Sequence, residues 1–155
     1  MEKLYAYAAG MMDGDGCIQI SQRRTENKNY YSLRVSVTQV TEGVPIWFVR
    51  NFGGRVDKFY ATKERRQNLY RWSMDSSKAS DFLQKILPYL VEKTERAKLG
   101  IQFQATLIYK GFADKLPQEV IQNRIKMYDQ MKVFNAFHSR KCWDKKPINL
   151  TLKEI

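Results

Sequence analysis

Two runs of the chain alternate polar and apolar side chains with a period of two, CIQISQRRT at residues 17–25 and YYSLRVSVTQVT at 30–41. Such alternation puts every second side chain on one face of a sheet, and the polar residues 26–29 between the runs make them a hairpin. A second hairpin reads from RVDKFYA through the loop TKERRQ into NLYRWSM. Between the hairpins lies a short helix at 45–52, with Pro45 just inside its start and Gly53-Gly54 just past its end. Residues 4–12 form a helix of small and apolar residues ahead of the first hairpin. Residues 75–77 cap a helix in KASDFLQKILPYL. Another helix starts near 91 and runs through RAKLGIQFQATLIY, and Pro117 opens one more in QEVIQNRIKMYDQMKVFNAF. The order αββαββα followed by further helices is an α+β layout. It implies an antiparallel sheet with helices on one face and the other face bare.

That bare face sets the question of partner. The apolar set of the first hairpin is Ile18, Ile20, Leu33, Val35 and Val37. The opposite set is Gln19, Ser21, Arg23, Thr25, Ser32, Arg34 and Ser36. The second hairpin adds Arg55, Lys58 and Arg71, with Lys63, Arg65 and Arg66 in its loop. A one-sided sheet always has a polar outer face, but a merely solvated one mixes signs. Here bases outnumber acids, with Glu26, Asp57 and Glu64 as the exceptions. The whole chain of 155 residues carries 27 Lys plus Arg against 16 Asp plus Glu, a formal charge of +11. That surplus calls for a polyanion, nucleic acid first and an anionic membrane surface second. The membrane reading is the weaker, for the chain has neither a strongly amphipathic basic helix nor an apolar run near the roughly 20 residues a span needs. Gln, Arg, Ser and Thr side chains read base edges and hold phosphates, and the major groove admits a two-stranded ribbon. Arg140 and Lys141 in the basic tail are further phosphate-gripping candidates.

Two cysteines, Cys17 and Cys142, make no disulfide framework, and the lone His138 belongs to no zinc-spaced cluster. A reducing interior is the expected compartment, since MEKLYAYAAGMM has the marks of neither a secretory signal nor a transit peptide.

The first helix ends in AAGMMDGDGCIQI, two aspartates among three glycines, and a strand follows at once. Gly and Asp are common in helix-ending turns. Yet acids there meet the negative end of the helix dipole, which is unfavourable unless a cation is present. Magnesium, which prefers carboxylate, carbonyl and water ligands, would supply one. Both readings of Gly14-Asp15-Gly16, turn and metal site, stand on the residues alone.

Residues 8–16, Ala-Ala-Gly-Met-Met-Asp-Gly-Asp-Gly, resemble the nine-residue signature of the LAGLIDADG homing endonucleases. Ala9, Gly10, Asp13, Asp15 and Gly16 are identical to it, Met11 and Met12 are conservative, and Ala8 and Gly14 depart mildly. The resemblance continues in order through Val37-Thr38-Gln39, Phe52-Gly53-Gly54, Tyr70-Arg71-Trp72-Ser73 and Leu87-Pro88-Tyr89-Leu90 to Lys93 and Ala97. At 155 residues the chain is read as a single domain over 1–155, with a core at 1–110 and a helical, basic-tailed region at 111–155. The family fold is αββαββα, with a saddle-shaped sheet astride DNA.

The resemblance also implies a function: a site-specific double-strand DNA endonuclease that uses Mg2+, or another divalent cation such as Mn2+, to hydrolyse phosphodiester bonds. One signature without an internal repeat implies a homodimer, with Ala6, Ala9, Gly10 and Asp13 at the interface. Asp15 would be the metal-binding carboxylate, joined by the backbone carbonyl of Gly14. Gln39 would organise the catalytic water, with Glu42 as its rival, and Lys93 would help stabilise charge near the phosphate. Asp13 is read as a local hydrogen-bonding residue rather than a catalyst. Strands of about nine residues span roughly 30 Å. Two subunits would then cover about 18 base pairs or more of a pseudo-palindromic target. The competing expectation is a nuclease-inactive protein of the same fold, an intron RNA maturase or a DNA-binding regulator. Against it stand Asp15, Gln39 and Lys93 together, since binding alone requires no carboxylate aimed at phosphates. The family setting implies an organelle-encoded intron of chloroplast or mitochondrion, or a phage or bacterial cytoplasm.

Overall fold

A computed structural model describes residues 1–24, 29–63, 65–107 and 116–136. The elements run α1 (Glu2–Gly14), β1 (Gly16–Arg24), β2 (Asn29–Gln39), α2 (Gly43–Phe52), β3 (Arg55–Phe59), β4 (Leu69–Asp75), α3 (Ser76–Ile86), a 3-10 turn (Leu87–Tyr89), α4 (Thr94–Thr106) and α5 (Gln118–Ala136). The expected α+β order is present. KASDFLQKILPYL is not one helix, however. Pro88 has no N–H for a further helical bond, and α3 gives way to the 3-10 turn. No helix among the described residues is long and apolar enough to cross a membrane.

The four strands form one antiparallel sheet in the order β1-β2-β4-β3. Two hairpins therefore lie side by side, joined in the middle by β2 and β4, where Arg34 is opposite Asp75 and Val37 opposite Trp72. The period-two alternation sends Ile18, Ile20, Leu33, Val35, Val37, Trp72 and Met74 inward, all buried. The helices cover that face with Ala8, Ala9 and Met12 of α1, Phe48 of α2, Phe82, Leu83 and Ile86 of α3, and Ala97 and Phe103 of α4.

An aromatic cluster fixes the Gly53-Gly54 stop. Trp72 lies 4.5 Å from Phe48 and 5.2 Å from Phe82 between ring centroids, and its indole N–H donates to the Gly53 carbonyl at 2.7 Å. Gly54 has φ +89, and a Cβ there would sit 2.6 Å from the Ser73 carbonyl oxygen, so only glycine fits.

Strand β1 is an edge of the sheet, and α5 packs along it. Met131 is buried, the Tyr128 ring lies tilted 5.2 Å from that of Tyr31, and the Asn135 amide donates to the Ile18 carbonyl at 3.1 Å. An edge that could pair with another chain is thereby covered.

Candidate active site and nucleic-acid face

A helix leaves its last carbonyls without intrahelical partners. At the end of α1 the Asp15 N–H reaches the Met11 carbonyl at 2.9 Å. The Lys93 ammonium donates to the carbonyls of Met12 at 2.7 Å and Asp13 at 2.6 Å. A cation thus meets the negative end of the helix dipole. The Asp13 carboxylate in turn accepts the backbone N–H groups of Val91 at 2.8 Å and Lys93 at 2.9 Å, just ahead of α4. The end of α1 and the start of α4 hold each other from both sides.

Lys93 is only 5% exposed. Burial, then the nearby charge of Arg96, pulls its ammonium below the ordinary lysine range, against the opposing pull of Asp13, Cys17 and Asp15. The sequence reading put this charge near a phosphate. The structure seats it on the carbonyls at the end of α1, from where its field reaches Asp15 through space.

Beyond this anchorage Asp15 is exposed, and the Gln39 side-chain amide donates to its Oδ2 at 2.6 Å. Two residues 24 positions apart meet because β2 ends beside the point where α1 turns into β1. Glu42, the rival, stands elsewhere: it occupies the N-cap position of α2, its carbonyl taking the Ile46 N–H at 2.9 Å. The turn itself depends on Gly16, where a Cβ would lie 2.6 Å from both Cα and the carbonyl oxygen of Met12. Gly14 closes α1 and is exposed, with open space around it.

Along α1, Ala6 and Gly10 are exposed, and a Cβ on Gly10 would meet nothing within 4 Å. Ala9 departs from the interface expected of it. It has no exposed surface, because it points with Ala8 and Met12 into the chain's own core. Asp13 is likewise turned to its own chain through the two backbone bonds above.

The register puts Gln19, Ser21, Arg23, Ser32, Arg34, Ser36, Arg55 and Arg71 on the outer face of the sheet, as their alternation implied. Ser36 is nonetheless buried at the centre of that face. Lys58 departs from that face. It lies three positions from Arg55, an odd offset that sends it to the opposite face of β3, where its ammonium sits 5.1 Å from the Tyr60 ring and 5.4 Å from the Tyr70 ring. Arg65 has a structural task as well. Its guanidinium bonds the carbonyls of Gln67 and Tyr60 and so builds the loop, whereas Lys63 and Arg66 in the same loop are exposed. Thr25, Arg140 and Lys141 lie outside the described residues.

Sequence reasoning missed Asp75 on this face. The sequence makes it a helix cap, and it does stand at the N-cap of α3, but its side chain makes no capping bond. Its carboxylate takes the Arg34 Nε at 2.6 Å and the Arg55 Nη1 at 3.3 Å instead. The alternation through Arg71 and Ser73, carried on to 75, was the available signal.

The LAGLIDADG endonuclease family matches residues 8–109, well over half of the chain. No curated protein matches by sequence. Among solved structures the fold is similar to the homing endonuclease I-CvuI in complex with its target in the presence of calcium, at 23% identity and a TM-score of 0.72, covering 88% of this chain and 83% of that one. I-CvuI on an I-CreI target with magnesium, its DNA not cleaved, gives 20% identity and a TM-score of 0.73 over 99% and 90% of the two chains. The archaeal intron-encoded homing endonuclease I-Vdi141I complexed with DNA gives 16% and 0.73 over 90% and 89%. With the signature helix, the paired Asp15 and Gln39 and the four-stranded sheet all in place, the chain belongs to the LAGLIDADG endonuclease family.

Proposed function

We propose that two copies of this chain form a site-specific, divalent-cation-dependent endonuclease that cuts both strands of a long pseudo-palindromic DNA target. The observation that carries this reading is the exposed Asp15 carboxylate held by the Gln39 amide at the mouth of the α1–β1 turn. A carboxylate serving only as a turn has no need of a long polar side chain brought from another strand to fix its orientation.

The donor set fits a hard cation. Asp15 supplies one carboxylate and Gly14 a carbonyl at an exposed helix end, and magnesium commonly takes one or two carboxylates while keeping several waters. Among the described residues no three His, Cys, Asp or Glu side chains gather to hold a metal. A site shared between two copies, each giving one Asp15, answers that shortage. When bound, the cation polarises the phosphodiester, acidifies its own water and stabilises the departing oxygen.

The chain's residues do the rest. Gln39 donates to one carboxylate oxygen and leaves the remaining lone pairs of Asp15 for a cation and its water. Lys93 and Asp13 pin the helix end, so Asp15 keeps a fixed distance from the axis. Ala6 and Gly10, small and exposed, let the first helices of two copies approach closely. The outer sheet face grips the duplex on either side.

Replacing Asp15 with Asn keeps the shape and removes the charge. We expect Asp15→Asn to lose cleavage of the target duplex in magnesium while retaining its affinity in a gel-shift titration. Undiminished cleavage by that variant refutes the assignment.

A further inference from the structure

Acidic side chains are out of place on a sheet face meant for a polyanion, yet Asp57 and Asp75 both lie on the outer face. Each is bonded to arginine. Arg34 gives its Nε to Asp75 at 2.6 Å, and Arg55 gives its Nε to Asp57 at 3.3 Å. Arg71 gives its Nε to the Thr38 hydroxyl at 3.2 Å, with its guanidinium carbon 4.6 Å over the Phe59 ring. In all three of these arginines the Nε is taken by a neighbour on the same face.

The consequence is geometric. With Nε occupied, the guanidinium edge left with two parallel N–H groups is the fork of Nη1 and Nη2. Arg55 gives part of that fork to Asp75 as well. Arg34 is the better placed, on a central strand between Gln19 of β1 and Asp75 of β4, its side chain 35% exposed. In the major groove guanine alone presents two adjacent acceptors, O6 and N7, which such a fork matches. The Asp75 carboxylate argues for a base edge rather than a phosphate as the fork's target. It would repel a phosphate, but it tolerates the base edge of a G·C pair, whose cytosine carries a donor at N4.

We propose that Arg34, held by Asp75, reads a guanine in each half-site of the target, and that Asp75 is the positioning residue for that contact. This rests on the DNA-binding reading above and adds to it a base and a residue pair.

The test is selection of random-sequence duplexes by the full chain, by Arg34→Ala, and by Asp75→Ala and Asp75→Asn, each checked for folding by thermal melting. The wild-type consensus is expected to contain a G·C pair per half-site that Arg34→Ala leaves random, a preference of about 5- to 150-fold. Asp75→Ala should flatten the same pair and leave the other positions as they were. Asp75→Asn, which keeps one acceptor for Nε, should give an intermediate preference, and it decides the matter if the alanine variant fails to fold. If Arg34→Ala costs no guanine, or the Asp75 variants keep the full preference at that pair, the inference is wrong while DNA reading stands. If the wild-type chain retains no duplex or selects no consensus, DNA reading fails and this inference with it.

Discussion

Gly16 shows how one missing atom shapes the site. The helix α1 must turn into β1 within a residue or two, so that Asp15 points outward while Ile18 points into the core. That turn brings the backbone at 16 against Met12, where a Cβ would overlap three of its atoms, at 2.6 to 2.7 Å. Two of them are backbone, so no side-chain rotation relieves the clash. Gly16→Ala is therefore expected to destabilise the chain by at least the roughly 1–3 kcal/mol of ordinary overpacking. Urea denaturation measures this directly, and a change under 0.5 kcal/mol, about the scatter of a surface substitution, would show that the turn is looser than described. The neighbouring Asp15 also shows what a residue pattern can carry. The bond from Gln39, which supports the metal-site reading proposed above, joins residues 24 apart that no local spacing encodes.

At the scale of elements, the reciprocal hold between α1 and α4 is the unit that positions Asp15. Lys93 supplies the ammonium to the carbonyls of Met12 and Asp13, and Asp13 supplies the carboxylate to the N–H groups of Val91 and Lys93. Lys93→Met keeps most of the side chain's bulk but leaves two helix-end carbonyls without their partner. An orphaned buried polar group costs about 1–3 kcal/mol. The expected result is a loss in that range by denaturation, with faster amide exchange in the last turn of α1. Unchanged exchange there would contradict the clamp. The elements themselves were largely legible. Period-two alternation marks the first hairpin, and the Pro45 and Gly53-Gly54 signals mark α2. What misled was treating the second hairpin as a stock of basic residues. Counting parity separates Lys58 from Arg55, and continuing it past Ser73 puts Asp75 on the outer face. The fate of Lys93 was beyond any such count, because its partners lie 80 and 81 residues away on a different helix.

At the scale of the whole molecule, a formal charge of +11 and a sheet face carrying Arg23, Arg34, Arg55 and Arg71 suit the proposed DNA binding, which would draw on counterion release. If two copies make about 6–10 phosphate contacts, affinity should fall about 10³- to 10⁵-fold between 50 and 200 mM salt. Filter binding across that range measures the slope, and a nearly flat response would leave the charge without a role in binding. The proposed function turns on something narrower than charge: a cutting site assembled from two copies, each providing a single Asp15. The most direct check is the mass of the cleavage-competent complex on its selected duplex, by sedimentation or light scattering. Two chains per duplex is the expected result, and a complex of one chain that cuts both strands would contradict it.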